Sequence, residues 1–261
     1  MLAPIPASVH ALVTGASSGL GVEFARQLAE RGHDVTLVAR REDRLVALAA
    51  ELEQHYKISA TVLVADLESH DGRERVAATL RNGEPWILVN NAGFGSRGRF
   101  VTAKPDREIA EVMLNVLAVH ELTAAVLPGN VQHRSGGVIN VASTAAFQPL
   151  PYMATYGATK AFVLSFTDAL TVELAGTGTR MLTLCPGPVE TEFGDIAGNS
   201  AELAKQGLMS AADVVRAGLR AFERNHRICV PGRSNAIGAV GVRLLPRAAV
   251  RRIVGRLFAP A

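Results

Sequence analysis

The stretch HALVTGASSGLG, residues 10–21, holds a strand, a turn and the start of a helix. HALVTG (10–15) is a short apolar, β-branched run and reads as a strand. The chain then turns through Thr14-Gly15-Ala16-Ser17-Ser18-Gly19-Leu20-Gly21. LGVEFARQLAERG (20–32) follows with the apolar period of a helix and ends in glycine. Glycines permit a tight turn and let the backbone approach a pyrophosphate, whose charge a helix N-terminus favours. The spacing is TGxxxGxG rather than GxGxxG, and alone it could be a glycine-rich turn without a ligand. Strand, turn and helix in this order point to a phosphate-binding turn.

The same alternation continues outward. DVTLVAR (34–40), ATVLVADL (60–67), WILVNNAG (86–93), GGVINVAS (136–143), RMLTLCPG (180–187) and RICVP (227–231) read as strands. Helices are expected over 42–56, 69–81, 105–127, 153–174 and 211–224, the third interrupted beyond Leu127 by Pro128-Gly129. The strands are apolar with little alternation, as in a sheet covered on both faces. Regular β–α alternation predicts one α/β domain, a doubly wound parallel sheet of about seven strands with right-handed crossovers. Ligands of such a sheet sit beyond the carboxyl ends of its strands.

The composition agrees. The chain has 261 residues, 48% hydrophobic and 20% charged, which excludes disorder. Cys185 and Cys229 lie in apolar runs and read as buried thiols of a reducing compartment. No signal peptide, no 18-residue uncharged span and no zinc-ligand spacing is visible, and the seven histidines do not cluster. Glu23, Asp168 and Glu173 read as helix-face charges. A cytoplasmic protein without a metal site is expected. From Asp213 onward ten arginines face two acidic residues, a net of +8, while the rest of the chain carries a net of −5.

The strand ends carry the chemistry. Arg40 lies 19 residues after Gly21, where NAD enzymes place an acid for the ribose 2′-hydroxyl. No acid stands at 39 or 40, so NADP is expected, with Arg40 on the 2′-phosphate and Ser17 or Ser18 assisting. Asp66, followed by Leu67, could accept from the adenine amino group or cap the next helix. Asn90-Asn91-Ala92-Gly93 ends the fourth strand with side chains able to join backbone and cofactor.

TGASSGLG, NNAG, Asn115 in LNVLA, Ser143, Tyr156-x-x-x-Lys160 and PGPVET (186–191) together resemble the short-chain dehydrogenase/reductase family in order and spacing, over residues 9 to 230. LVARRED is similar to an NADP-preferring branch. The resemblance implies a Rossmann-type fold and hydride transfer between NADP(H) and a carbonyl or alcohol. Tyr156 would be the acid/base, Ser143 would orient the carbonyl, and Asn115 would hold a water linking Lys160 to solvent. Lys160 would bind the nicotinamide ribose and lower the Tyr156 pKa from its usual value of about 10. Tyr156 and Lys160 share a helix face at i and i+4. Gly15, Ser17, Ser18, Gly19, Leu20, Gly21, Arg40, Asp66, Leu67, Asn90, Asn91, Ala92, Gly93, Tyr156, Lys160, Pro186, Gly187, Val189 and Thr191 would hold the cofactor.

Phe94, Ala145, Phe147, Leu150, Met153 and Phe193 flank this set and predict a lipophilic ketone or aldehyde. The segment 192–209 is expected to close as a lid. The domain is expected to end near residue 232. Residues 233–261 form a basic, apolar helical extension with Arg243, Arg247, Arg251, Arg252 and Arg256 at helical spacing. Its expected place is on the protein or a neighbouring subunit of a homodimer or homotetramer, with an anionic membrane as the alternative. Nucleic acid is not an expected partner. A non-catalytic NADP-binding protein or a membrane-recruited one is the competing reading, which the complete Asn115, Ser143, Tyr156 and Lys160 set opposes.

Overall fold

The computed structural model describes residues 4–198 and 207–259. Seven strands form one sheet: β1 (His10–Thr14), β2 (Val35–Ala39), β3 (Ala60–Val64), β4 (Trp86–Asn90), β5 (Gly137–Val141), β6 (Arg180–Leu184) and β7 (Ile228–Cys229). Their order is β3-β2-β1-β4-β5-β6-β7, and every pairing is parallel. The order reverses between β1 and β4, the switch point at which such sheets bind ligands. Val13 pairs with both Leu37 and Val89, and Asn90 with Asn140, so the carboxyl ends of the central strands are level.

Alternate strand residues feed two layers. Ala11, Val13, Leu37, Val89 and Leu182 pack with α1 (Gly19–Glu30), α2 (Glu42–Tyr56) and α8 (Ala211–Glu223). Leu12, Val38, Leu88 and Met181 pack with α3 (His70–Leu80) and α5 (Val119–His133), and Leu170 of α6 (Ala154–Glu173) joins them. With both faces covered, the strands need apolar residues at every position, which is why they show no period of two. Helix starts follow local chemistry: the hydroxyls of Ser69 and Ser210 accept from the amides of Gly72 and Asp213.

The structure departs from the sequence pattern in the fourth helix. α4 (Pro105–Val112) passes into a wider π-type turn at Met113–Ala118 and continues as α5 through Pro128 to His133. The helix survives the proline because Asn130 ties its last turn to β4: Oδ1 accepts from the Trp86 amide at 2.7 Å and Nδ2 donates to the Trp86 carbonyl at 3.0 Å. Helix 105–133 is long and apolar enough to cross a membrane, but Leu122 and Val126 are fully buried against the sheet.

The C-terminal segment is two helices, not one. α9 (Arg233–Leu244) and α10 (Arg247–Phe258) are separated at Leu245-Pro246, where proline opens the second helix. Val242, Val250 and Val254 pack into a cluster with Leu150, Met153 and Tyr156. The segment therefore packs on its own chain. Arg247, Arg251, Arg252 and Arg256 stay exposed. A short helix, α7 (Phe193–Ala197), opens the expected lid, of which residues 199–206 lie outside the described residues.

Candidate active site

A cleft of about 1130 Å³ runs along the carboxyl ends of the strands. At one end lies the glycine turn. Gly15 and Gly19 have φ of +68° and +53°, values that L side chains rarely adopt. A Cβ on Gly21 would meet the Gly15 carbonyl oxygen at 2.1 Å. The first turn of α1 carries no acidic residue to oppose an anion. Thr14 locks β1 to β4: its hydroxyl donates to the Val89 carbonyl and accepts from the amides of Asn91 and Ala92 at 2.9 and 3.0 Å. The Asn91 amide group returns a bond to the Thr14 carbonyl at 2.9 Å. This cradle, closed to side chains and open to backbone approach, fits a dinucleotide.

Gly15, Ser17, Ser18, Gly19, Leu20, Arg40, Asp66, Leu67, Asn91, Ala92 and Gly93 line this end; Pro186, Gly187, Val189 and Thr191 line the opposite wall. Gly21 shapes the turn from behind. Asn90 departs from its expected role: it is buried within the sheet and donates to Thr123 and Asn140. Asp66 accepts from the Glu68 amide in the turn before α3, whose cap is Ser69.

Arg40 also departs. Its guanidinium turns to Glu68 at 2.8 Å, with Asp66 at 4.0 Å, and is 62% exposed. The arginine on the turn is Arg41, whose Nε donates to the Ser17 hydroxyl at 3.0 Å. Arg44 reaches the Ser17 carbonyl from the first turn of α2. Both arginines hold Glu192, Arg41 at 2.9 Å and Arg44 at 2.7 Å. Arg44 first, then Arg41, keeps the Glu192 carboxyl below the usual range.

Ser143 ends β5, and Tyr156 and Lys160 project from α6 into the same cleft. Burial pushes the Tyr156 phenol up to about 12, with a hydrogen bond to Ser143 pulling the other way. Burial brings the Lys160 ammonium down to about 8. Lys160 Nζ donates to the Val141 carbonyl at 2.8 Å and stands 5.8 Å from the centre of the Tyr156 ring. Burial thus outweighs the Ser143 hydrogen bond, and the phenol stays protonated at neutral pH.

Asn115 sits in the wide turn, where the change of pitch aims it at the loop after β4. Its amide bonds the Phe94 carbonyl at 2.8 Å and Thr159 at 3.2 Å, and its oxygen accepts from the Phe94 amide. This side chain ties the Phe94 loop to α6. Gly93 makes room, since a Cβ there would lie 2.8 Å from the Asn115 oxygen. One helical turn earlier is Glu111, which the sequence reading passed over. It is fully buried, and its only hydrogen-bonding neighbour among the described residues, Ser96, lies outside good bond geometry. Burial raises its carboxyl to about 7, opposed by Ser96. Its i, i+4 relation to Asn115 was the available signal.

On the substrate side Phe94, Ala145, Leu150, Met153 and Phe193 line the cleft. Phe193 packs on Tyr156 with ring centres 5.3 Å apart, and Arg107 lies over the Phe94 ring at 4.9 Å. Phe147 departs, packing instead with Ala146, Val163 and Cys185 behind the catalytic loop. The remaining apolar wall comes from Ile196 and from Val254, Leu257 and Phe258 of α10. Arg97 fastens that helix end by donating to the Phe258 and Ala259 carbonyls. Nothing local in the sequence marks these residues, because their partners lie about a hundred positions away. Cys185 is buried; Cys229 is half-buried, and burial raises its thiol to about 11.

A nucleotide cradle and a Ser–Tyr–Lys cluster in one cleft of a doubly wound sheet define a dinucleotide-dependent oxidoreductase site. Residues 9–200 match the short chain dehydrogenase family, and the chain belongs to it. Very-long-chain 3-oxoacyl-CoA reductase of Laccaria bicolor is 39% identical over 63% of this chain and 50% of its own. The human protein named inactive hydroxysteroid dehydrogenase-like protein 1 is 32% identical over 70% of this chain and 56% of its own. The chain thus spans from half to about three fifths of the curated relatives it matches. Among solved structures, a short-chain dehydrogenase from Sphingobium yanoikuyae in complex with NADPH is 34% identical, with a TM-score of 0.84 over 95% of both chains. The bulky-bulky ketone specific alcohol dehydrogenase from Comamonas testosteroni is 32% identical, with a TM-score of 0.79 over 92% of this chain and 93% of that one.

Proposed function

We propose that the protein is an NADP(H)-dependent reductase of bulky, lipophilic ketones or aldehydes, working through Tyr156, Lys160, Ser143 and Asn115. The observation that carries this is the convergence of Ser143, Tyr156 and Lys160 on one cleft that is a glycine-turn cradle at one end and apolar at the other. When bound, NADPH supplies a hydride to the carbonyl carbon. The chain supplies the rest. The Tyr156 hydroxyl, protonated because it is buried, donates its proton to the carbonyl oxygen as charge develops there. The Ser143 hydroxyl donates to the same oxygen and fixes its direction. The Tyr156 phenolate left behind is desolvated, and the Lys160 ammonium on the same helix face offsets its charge and returns a proton. Asn115 holds the Phe94 loop and α6 in register, so these groups keep their spacing.

The substrate class is read from Phe94, Met153, Phe193 and the α10 wall, which give this end of the cleft an apolar lining. Two of the proteins named above have names that agree with this wall, the very-long-chain 3-oxoacyl-CoA reductase and the bulky-bulky ketone specific alcohol dehydrogenase. The relative named inactive marks the alternative, an NADP-binding protein without turnover. The complete catalytic set opposes it here. We further infer a homo-oligomer and a catalytic unit over residues 1–232 that 233–261 completes.

Tyr156→Phe tests the mechanism. Hydride transfer should fall about 100- to 10,000-fold, while the Kd for NADPH, read by quenching of protein fluorescence, stays within about twofold. Undiminished turnover would overturn the acid role of Tyr156. A panel of ketones graded in size and polarity tests the substrate class, and better turnover of small polar ketones would overturn it.

A further inference from the structure

We propose that Glu192 is a specificity-determining residue: its carboxylate occupies the arginine seat that the 2′-phosphate of NADP(H) takes, and by competing for it sets the margin of NADPH over NADH. This rests on the cofactor reading above. The seat has three walls. Arg41 enters from the residue before α2, with Nε on the Ser17 hydroxyl at 3.0 Å. Arg44 comes from the first turn of α2, and the Ser17 hydroxyl from the glycine turn. Glu192 enters from the far wall of the cleft and bridges both guanidinium groups, Oε2 to Arg41 at 2.9 Å and Oε1 to Arg44 at 2.7 Å. Arg40 does not share in this, being engaged by Glu68.

Two guanidinium forks and a hydroxyl suit a phosphate better than a carboxylate. A phosphate brings about two charges and three oxygens; a carboxylate brings one charge and two oxygens. The incumbent is also easily displaced. Glu192 is only part-buried and meets solvent beside its partners. Its backbone need not move far, because the preceding Thr191 is packed on Gly19, where a Cβ would lie 2.9 Å from the threonine methyl. The exchange is therefore a side-chain event. NADPH must break both ion pairs to claim the seat. NADH, lacking the phosphate, leaves them in place.

The test uses nucleotide fragments without the nicotinamide, so that it reads binding and not turnover. Titration calorimetry of the full chain with adenosine 2′,5′-bisphosphate and with adenosine 5′-monophosphate compares wild type with Glu192→Gln, which keeps size and polarity and removes charge. The bisphosphate should bind about three- to tenfold tighter to the variant, and the monophosphate within about twofold. High salt should shrink the gain, since the competitor is ionic. Equal tightening of both fragments would reduce Glu192 to a general negative charge and overturn the proposal. So would an unchanged or weaker bisphosphate, which would make Glu192 a support for the arginines. Matching thermal melts confirm the variant's fold, and Glu192→Ala should repeat the direction. If wild type binds the monophosphate but gains nothing from the 2′-phosphate, the NADP reading falls and this one with it.

Discussion

The two ends of the cleft are built by different means. The nucleotide end is made within residues 14–21 and 90–93, from backbone geometry locked by Thr14 and Asn91. The substrate end is assembled from Phe94, Leu150, Met153, Phe193 and a helix that begins at Arg247. The first tolerates almost no added atom. The second is a set of side chains that can change size without disturbing the sheet. A conserved chemistry with an adjustable substrate range needs this division, because the cofactor is constant and the carbonyl partner is not.

The sharpest break of that contrast is Gly21→Ala. Its new Cβ would meet the Gly15 carbonyl oxygen at 2.1 Å, and a backbone atom cannot step aside as a side chain can. The turn must open, at about 1–3 kcal/mol of stability, and NADPH binding should become undetectable by fluorescence titration. Retention of wild-type affinity would mean that the cradle is softer than its geometry.

At the other end, truncation after Leu245 removes Val254, Leu257 and Phe258 from the wall. The kcat/KM for a bulky ketone should fall about tenfold or more, with the NADPH Kd within about twofold. Equal losses on small and bulky ketones would show that α10 supports the fold and not the pocket.

This division also explains what the sequence could show. Motifs made from neighbouring residues, such as the glycine turn and the Tyr156–Lys160 pair, carry their geometry locally. The number of strands and their parallel sense followed from alternation and apolarity. Side chains whose partner lies elsewhere in the chain were illegible. Arg40 and Arg41 are adjacent and chemically identical, and only Glu68 drawing one aside tells them apart. Asn90 and Asn91 differ in the same way, since strand alternation points one into the core and the other to β1. Phe147 leaves the cleft and Phe258 lines it, because tertiary packing, not periodicity, decides which ring meets the cleft. The helix through Pro128 survives by a contact from Asn130 to Trp86 that no local rule contains.

Between the two ends lies Glu111, which predicts a pH effect. Its folded-state pKa of about 7 lies above the ordinary 4.5. The native state therefore holds the proton more tightly than the unfolded chain. The stability this gives is complete below pH ~4.5 and is lost as pH rises through about 7, at most about 3 kcal/mol. Urea unfolding of wild type and Glu111→Gln at pH 5 and pH 8 isolates the term: wild type should lose stability relative to the variant at pH 8. A pH-independent difference would mean that the carboxyl ionises normally inside the fold.

The smallest effect separates the neighbouring arginines at the nucleotide end. Arg41 touches the Ser17 hydroxyl and faces the seat, whereas Arg40 is exposed and satisfied by Glu68. Arg41→Ala should weaken NADPH about tenfold, the scale of one charge-assisted phosphate contact, and leave NADH nearly unchanged. Arg40→Ala should cost NADPH no more than about threefold, because an exposed ion pair contributes little and its loss frees Glu68 to solvent. Fluorescence titration with both cofactors reads the four values. If Arg40→Ala is the costlier variant for NADPH alone, its pairing with Glu68 must break on binding, and the residue named by strand position would be the true phosphate ligand.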